Sequence, residues 1–138
     1  LLVYSLAGFN QQEKGKSMAK ILIVDDSETH LYTLSKIVEG EGHEVITAGG
    51  GEAGVQAAIE HIPDLILMDV VMPDLNGFQA TRKISKNAST ANIPIIMVTT
   101  KDQETDRIWG MRQGASAYLT KPVDKKALVK TMNELMGG

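Results

Sequence analysis

The chain has no cysteine. That excludes a disulfide framework, a thiolate nucleophile and a Cys-based metal site, and it fits a reducing compartment. No apolar run approaches the roughly 18–20 residues of a membrane span. The first nine residues, LLVYSLAGF, are apolar, but no basic stretch precedes them and no clear cleavage site follows, so a secretory signal is not read. A cytoplasmic protein is the expectation. Strong charge of either sign is also missing. The net charge of −3 gives no overall attraction to nucleic acid. There is no Walker-type glycine–lysine run. His30, His43 and His61 stand at no metal-ligand spacing and are read as solvent-facing or packing residues.

What remains is an ordinary globular balance, 43% hydrophobic and 22% charged, on a chain long enough for one domain. Met18 opens Met-Ala-Lys-Ile, which reads like a natural start. Residues 1–17 are therefore read as an extension foreign to the domain, a cloning remnant or upstream read-through, and residues 18–138 as the domain. Residues 101–138 carry seven Lys/Arg against five Asp/Glu, and residues 1–100 carry seven against twelve. This asymmetry fits two distinct surfaces, or simply two solvated faces.

From Lys20 onward, short apolar runs alternate with helical spacing. The runs are Ile21–Val24, Glu44–Ala48, Leu65–Met68, Ile95–Val98 and Ala117–Leu119. Three are almost purely aliphatic, as expected for strands buried on both faces of a parallel sheet. Helical stripes are formed by Leu31, Leu34 and Val38, by Val55, Ala58 and Ile62, by Phe78, Thr81 and Ile84, and by Leu128, Met132 and Leu135. Ser27 or Asp26 can cap the first helix, Asn76 the third and Asp124 the fifth. Gly40 and Gly42 can stop the first, and Thr100 with Gln103 forms a capping-box pattern before the fourth. The fourth segment, about Asp102–Gln113, has few large apolar residues and an internal glycine, Gly110. It reads as the most loosely held helix or as a merely polar surface helix. Five strand–helix units with right-handed crossovers give an α/β three-layer sandwich, flavodoxin-like (βα)5, with parallel strand order 2-1-3-4-5.

Ligands of such sheets bind beyond the carboxyl ends of the strands. Those ends carry Asp25 and Asp26, Asp69, Thr99 and Thr100, and Lys121. The strand order brings them to one rim. Crowded carboxylates repel by about 4 kcal/mol per pair at 4 Å and an effective dielectric near 20, so the cluster needs cations or a shared proton. Lys121 supplies one positive charge. A hard divalent ion with oxygen ligands would supply the rest, and Mg²⁺ suits carboxylates plus a phosphate oxygen. A carboxylate can attack phosphorus to form an acyl phosphate, and phosphoryl transfer needs mainly positioning and charge neutralisation. Asp69 alone ends the third strand, which makes it the candidate nucleophile and leaves Asp25 and Asp26 as metal anchors.

Three other functions compete. Gly49-Gly50-Gly51-Glu52-Ala53-Gly54 fits the dinucleotide fingerprint, with Asp69 about 20 residues further on. It follows the second strand, however, and leaves the acids, Thr99 and Lys121 unexplained. A Mg²⁺-dependent phosphatase would want a second acid where Val71 stands. An interaction module of the same fold that takes no phosphate would not need the full acid, Thr and Lys set.

The residues just named resemble the response-regulator receiver family. The likeness runs through Ile-Val-Asp25-Asp26-Ser, Leu-Met-Asp69-Val-Val-Met-Pro73-Asp-Leu-Asn-Gly77, Val-Thr99-Thr100 and Gly114-Ala-Ser-Ala-Tyr118-Leu-Thr-Lys121-Pro122, and covers about residues 19–138. Within the family, Gly77-Phe-Gln-Ala-Thr-Arg82 and Thr99-Thr-Lys-Asp-Gln-Glu-Thr-Asp106 are most similar to PilH-type regulators, stand-alone receivers of the chemotaxis-like system for type IV pili and twitching.

The resemblance implies a phosphoryl group accepted on Asp69 from a histidine kinase. It implies Mg²⁺ held by Asp26, Asp69 and the Val71 backbone carbonyl, with Asp25 acting mainly through water. Thr99 would move toward the phosphoryl group, Tyr118 would swing in behind it, and Lys121 would contact the phosphate beside a cis bond to Pro122. Taken alone, Tyr118 reads as an aromatic packing at a strand edge. The expected activity is a switch and not an enzyme beyond self-phosphorylation from small donors and self-dephosphorylation. The given chain leaves no room past the fifth helix for an output domain, so output through a protein contact is expected. Its surface would be the fourth helix, fifth strand and fifth helix, with Arg107, Trp109, Lys125 and Lys126. A monomer or a phosphorylation-dependent dimer, and a role as phosphate sink for another regulator, remain open.

Overall fold

The computed structural model describes residues 19–137, so the extension assigned to residues 1–17 lies outside the described residues. The strands are β1 (Lys20–Val24), β2 (Glu44–Ala48), β3 (Leu65–Met68), β4 (Ile95–Thr99) and β5 (Ala117–Thr120). The helices are α1 (Glu28–Gly40), α2 (Gly51–His61), α3 (Gly77–Lys86), α4 (Glu104–Gln113) and α5 (Lys125–Leu135). The sheet is parallel, in the order β2-β1-β3-β4-β5. This is the expected flavodoxin-like sandwich.

Successive strand residues point to opposite faces, and the aliphatic runs divide accordingly. Leu22, Val24, Ile66, Met68 and Ile95 pack with Val55, Ala58, Ala80 and Ile84 of α2 and α3. On the other face, Ile21, Ile23, Leu65, Leu67, Ile96 and Val98 pack with Leu34, Val38, Leu128 and Met132 of α1 and α5. Each fully buried aliphatic side chain contributes about 1.5–3 kcal/mol. These two layers therefore fix where the strand ends sit.

Three local expectations are corrected. Ile62 does not continue the α2 stripe. It is the C-cap, left-handed at φ 43°, and 47% exposed, because Pro63 disfavours a right-handed helical conformation in the residue before it. Thr100 does not cap α4. The helix starts at Glu104 after Gln103, whose backbone N–H donates to Asp106 Oδ2 at 3.2 Å. Gly110 is more than a weak point in α4. A Cβ there would lie 2.7 Å from Met97 Sδ, so the glycine lets the helix approach the sheet. Otherwise α4 buries only Gln113 and turns Ile108, Trp109 and Met111 outward.

Candidate functional site

The chain reverses direction across the sheet between β1 and β3, and the acids meet there. Val24 pairs with Met68, so the next residues, Asp25 and Asp69, emerge side by side. Backbone bonds lock them: Asp69 N–H donates to Val24 O at 2.9 Å and Asp25 N–H to Ala48 O at 3.1 Å. On the far side Lys121 N–H donates to Thr99 O at 2.8 Å. Gly77 completes the support. A Cβ on it would stand 2.0 Å from Asp69 O, so only glycine lets α3 begin against this strand end.

Ligand oxygens of Asp25, Asp26 and Asp69 all lie within 4.8 Å of one another. Asp25 and Asp69 are buried, whereas Asp26 is exposed. Asp25 Oδ1 accepts from Ser27 N–H at 2.9 Å, and its Oδ2 accepts from Lys121 Nζ at 2.6 Å. Asp69 Oδ1 accepts from Val70 N–H at 2.8 Å and stands 3.8 Å from Lys121 Nζ. Burial, then the neighbouring Asp25, hold the Asp69 carboxyl above its ordinary pKa, while Lys121, the Thr99 hydroxyl and the Val70 N–H pull the other way. The cluster is thus short of positive charge, and its all-oxygen donors suit a small hard cation.

Thr99 is buried beside this group, with Oγ1 accepting from Lys101 N–H at 3.3 Å, while Thr100 is exposed. The Lys121–Pro122 bond is cis. Tyr118 neither lies free nor simply packs on helix stems. Its hydroxyl donates to Lys101 O at 2.7 Å, its ring lies under Gly110, and burial above all pushes its pKa up to about 12. Val71 is 53% exposed next to the acids in sequence. Trp109 is half exposed, Arg107 pairs with Glu104, and Lys125 and Lys126 are exposed.

Sequence reasoning missed one residue, His30. Its position in the sequence reads as solvent-facing or packing, yet Lys121 Nζ lies 2.7 Å from its Nδ1, and that Nδ1 lies 3.6 Å from Asp25 Oδ2. The local cause is the α1 cap. Ser27 Oγ accepts from His30 N–H at 3.2 Å, and helical side chains lean toward the N-terminus, here toward the rim. That cap position was the available signal. His43 does pack, buried, with Nδ1 accepting from Ala19 N–H at 3.3 Å. Packing accounts for two glycines of the dinucleotide-like fingerprint, Gly51 and Gly54, whereas a Cβ on Gly49 would meet nothing within 4 Å. Cβ atoms on Gly51 and Gly54 would strike Leu75 O at 2.1 Å and Val24 Cγ1 at 2.7 Å, and the loop follows the edge strand β2, away from the reversal point.

Comparison with known proteins points to one family. The family model described as response regulator receiver domain matches residues 21–133. Protein PilH of Pseudomonas aeruginosa is 58% identical over 121 residues, covering 88% of this chain and all of PilH. Response regulator PleD of Caulobacter vibrioides is 39% identical over 117 residues, covering 85% of this chain and 26% of PleD. Chemotaxis protein CheY4 of Vibrio cholerae superposes with a TM-score of 0.80 at 32% identity, over 86% of this chain and 98% of that one. The receiver domain of a Pseudomonas aeruginosa sensor histidine kinase, solved with magnesium coordinated in its active site cleft, gives 0.81 at 28% identity, over 88% and 99%. Among the described residues no helix is long and apolar enough to cross a membrane. The strand-end acids, the sheet order and these likenesses together place the chain in the response regulator receiver domain family.

Proposed function

We propose that this chain is a cytoplasmic receiver that accepts a phosphoryl group from a histidine kinase on Asp69 and thereby switches a protein-binding surface. The supporting observation is the charge geometry: three carboxylates with oxygens within 4.8 Å, and an ammonium 3.8 Å from Asp69 Oδ1. The 58% likeness to PilH supports a place in chemotaxis-like control of type IV pilus twitching.

Asp25, Asp26 and Asp69, with the Val71 backbone carbonyl, would hold Mg²⁺, which when bound offsets the crowded acids and the incoming phosphoryl charge. The Asp69 carboxylate oxygen forms the new O–P bond as the donor's P–N bond breaks, and the electron pair leaves with the imidazole. Lys121 neutralises charge on the phosphoryl oxygens, and the Thr99 hydroxyl donates a hydrogen bond to one of them. The product adds about −1.5 to −2 charges and three acceptor oxygens at the rim. Thr99 and Lys121 gain contacts only in that state. Thr99 Oγ1 then gives up Lys101 N–H, the residue whose carbonyl holds Tyr118, and this couples the rim to α4. The partner reads the face of α4, β5 and α5, with Trp109, Arg107, Lys125 and Lys126 at its surface.

The test is incubation with Mg²⁺ and acetyl phosphate, followed by intact mass and Trp109 fluorescence. The parent gains one phosphoryl group and changes emission, and Asp69→Asn does neither. Equal gain in both chains removes Asp69 as acceptor.

A further inference from the structure

We infer that His30 is a positioning residue for the Lys121 ammonium. This rests on the phospho-acceptor function proposed for Asp69. A lysine carries three rotatable N–H donors and no acceptor on a flexible four-carbon stem. Nothing in its own chemistry fixes where the ammonium stands. Here two acceptors fix it: Asp25 Oδ2 at 2.6 Å and His30 Nδ1 at 2.7 Å. Since Lys121 can only donate, His30 accepts at Nδ1 and carries its proton on Nε2. The imidazole is itself held from below, because the His30 backbone N–H is tied to the Ser27 cap. It sits at the mouth of the site, 43% exposed, over an Asp25 side chain that is 1% exposed.

Among the described residues, the third N–H of Lys121 has no acceptor within hydrogen-bond reach. Asp69 Oδ1, at 3.8 Å, is just beyond it. A phosphoryl oxygen arriving on Asp69 enters that gap. With two N–H groups already committed, the ammonium is oriented before transfer and is not ordered during it. His30 differs from Asp25 in one respect that matters. It is a neutral acceptor, so it keeps its hold on Lys121 when Asp25 is drawn toward a cation. The two anchors thus have separate duties: Asp25 would serve both metal and ammonium, and His30 serves the ammonium alone.

The test compares His30→Asn with His30→Leu. Asn Oδ1 is the same number of bonds from the backbone as His Nδ1, and leucine offers similar bulk with no acceptor. Two readouts are taken. In metal-free protein, the Lys121 ammonium resonance is followed by proton–nitrogen NMR, identified by its loss in Lys121→Arg. With Mg²⁺ and acetyl phosphate, the rate of mass gain is measured. The ammonium resonance stays sharp in the parent and in His30→Asn and is lost to exchange in His30→Leu. Phosphorylation of His30→Asn stays within about twofold of the parent, and that of His30→Leu is about tenfold slower, the loss of one charge-assisted hydrogen bond. Leucine matching the parent in both readouts overturns the inference, as does asparagine failing as badly as leucine. Should Asp69→Asn gain phosphate like the parent, the acceptor assignment fails by itself, and the NMR comparison still decides the role of His30.

Discussion

Replacing Asp69 by asparagine is expected to stabilise the metal-free domain. At an effective dielectric near 20, the Asp25 and Asp69 carboxylates, with oxygens within 4.8 Å, repel by about 3.5 kcal/mol. Lys121, 3.8 Å from Asp69 Oδ1, attracts by about 4 kcal/mol on the same scale, but that ammonium is shared with Asp25 at the shorter distance of 2.6 Å. The Coulomb contributions nearly offset, so burial of the Asp69 charge decides the sign. Relief of such burial is worth on the order of 1–3 kcal/mol, and the amide oxygen can still accept from Val70 N–H. A net gain of about 1–2 kcal/mol follows.

The pH dependence gives a second, sharper check. The Asp69 pKa is raised in the fold above its ordinary 3.8. As pH rises past 3.8 the unfolded chain loses its proton first while the folded one keeps it, so the parent loses stability with rising pH until the folded carboxyl also ionises. The advantage of Asp69→Asn is therefore absent at low pH, where both groups are neutral, and complete above the folded pKa. Urea denaturation in EDTA at several pH values measures it. Adding Mg²⁺ reverses the ranking, because an ion that binds only the folded parent stabilises it by about 2.7 kcal/mol at one hundred times its Kd. An Asn variant no more stable than the parent at pH 7.5 in EDTA, or an advantage that shrinks as pH rises, refutes the electrostatic picture.

Two further outcomes are expected. Gly77→Ala places a Cβ 2.0 Å from Asp69 O and should lower stability by about 1–3 kcal/mol while cutting acetyl-phosphate labelling, both measured on the same preparation; unchanged labelling would disconnect the α3 start from the nucleophile. Val71, two residues past Asp69 and apolar, offers attacking water no polar help, so the acyl phosphate should last minutes or longer when followed by mass after donor removal, and a lifetime of seconds contradicts this.

Much of the fold was legible because the aliphatic runs are short and bounded, and burial on both sheet faces leaves few other uses for Leu65–Met68 or Ile95–Val98. The rim acids were legible because strand order alone brings Asp25, Asp69 and Lys121 to one edge. His30 was not, since its contact spans 91 positions to Lys121 and a lone histidine in a first helical turn carries no spacing signal. Ile62 misled through its helical spacing, although Pro63 had already marked the helix end. Thr100 misled because it matched a capping pattern three residues before the true cap, Gln103, where Asp106 supplies the bond to the backbone.

The central claim, that Asp69 carries the phosphoryl group, is tested most directly by borohydride trapping. Reduction converts an aspartyl phosphate to homoserine, and peptide mass spectrometry locates it. After treatment with Mg²⁺ and acetyl phosphate, homoserine should appear at position 69 and nowhere else. Homoserine at another acid, or a phosphorylated protein that yields none, would contradict the assignment.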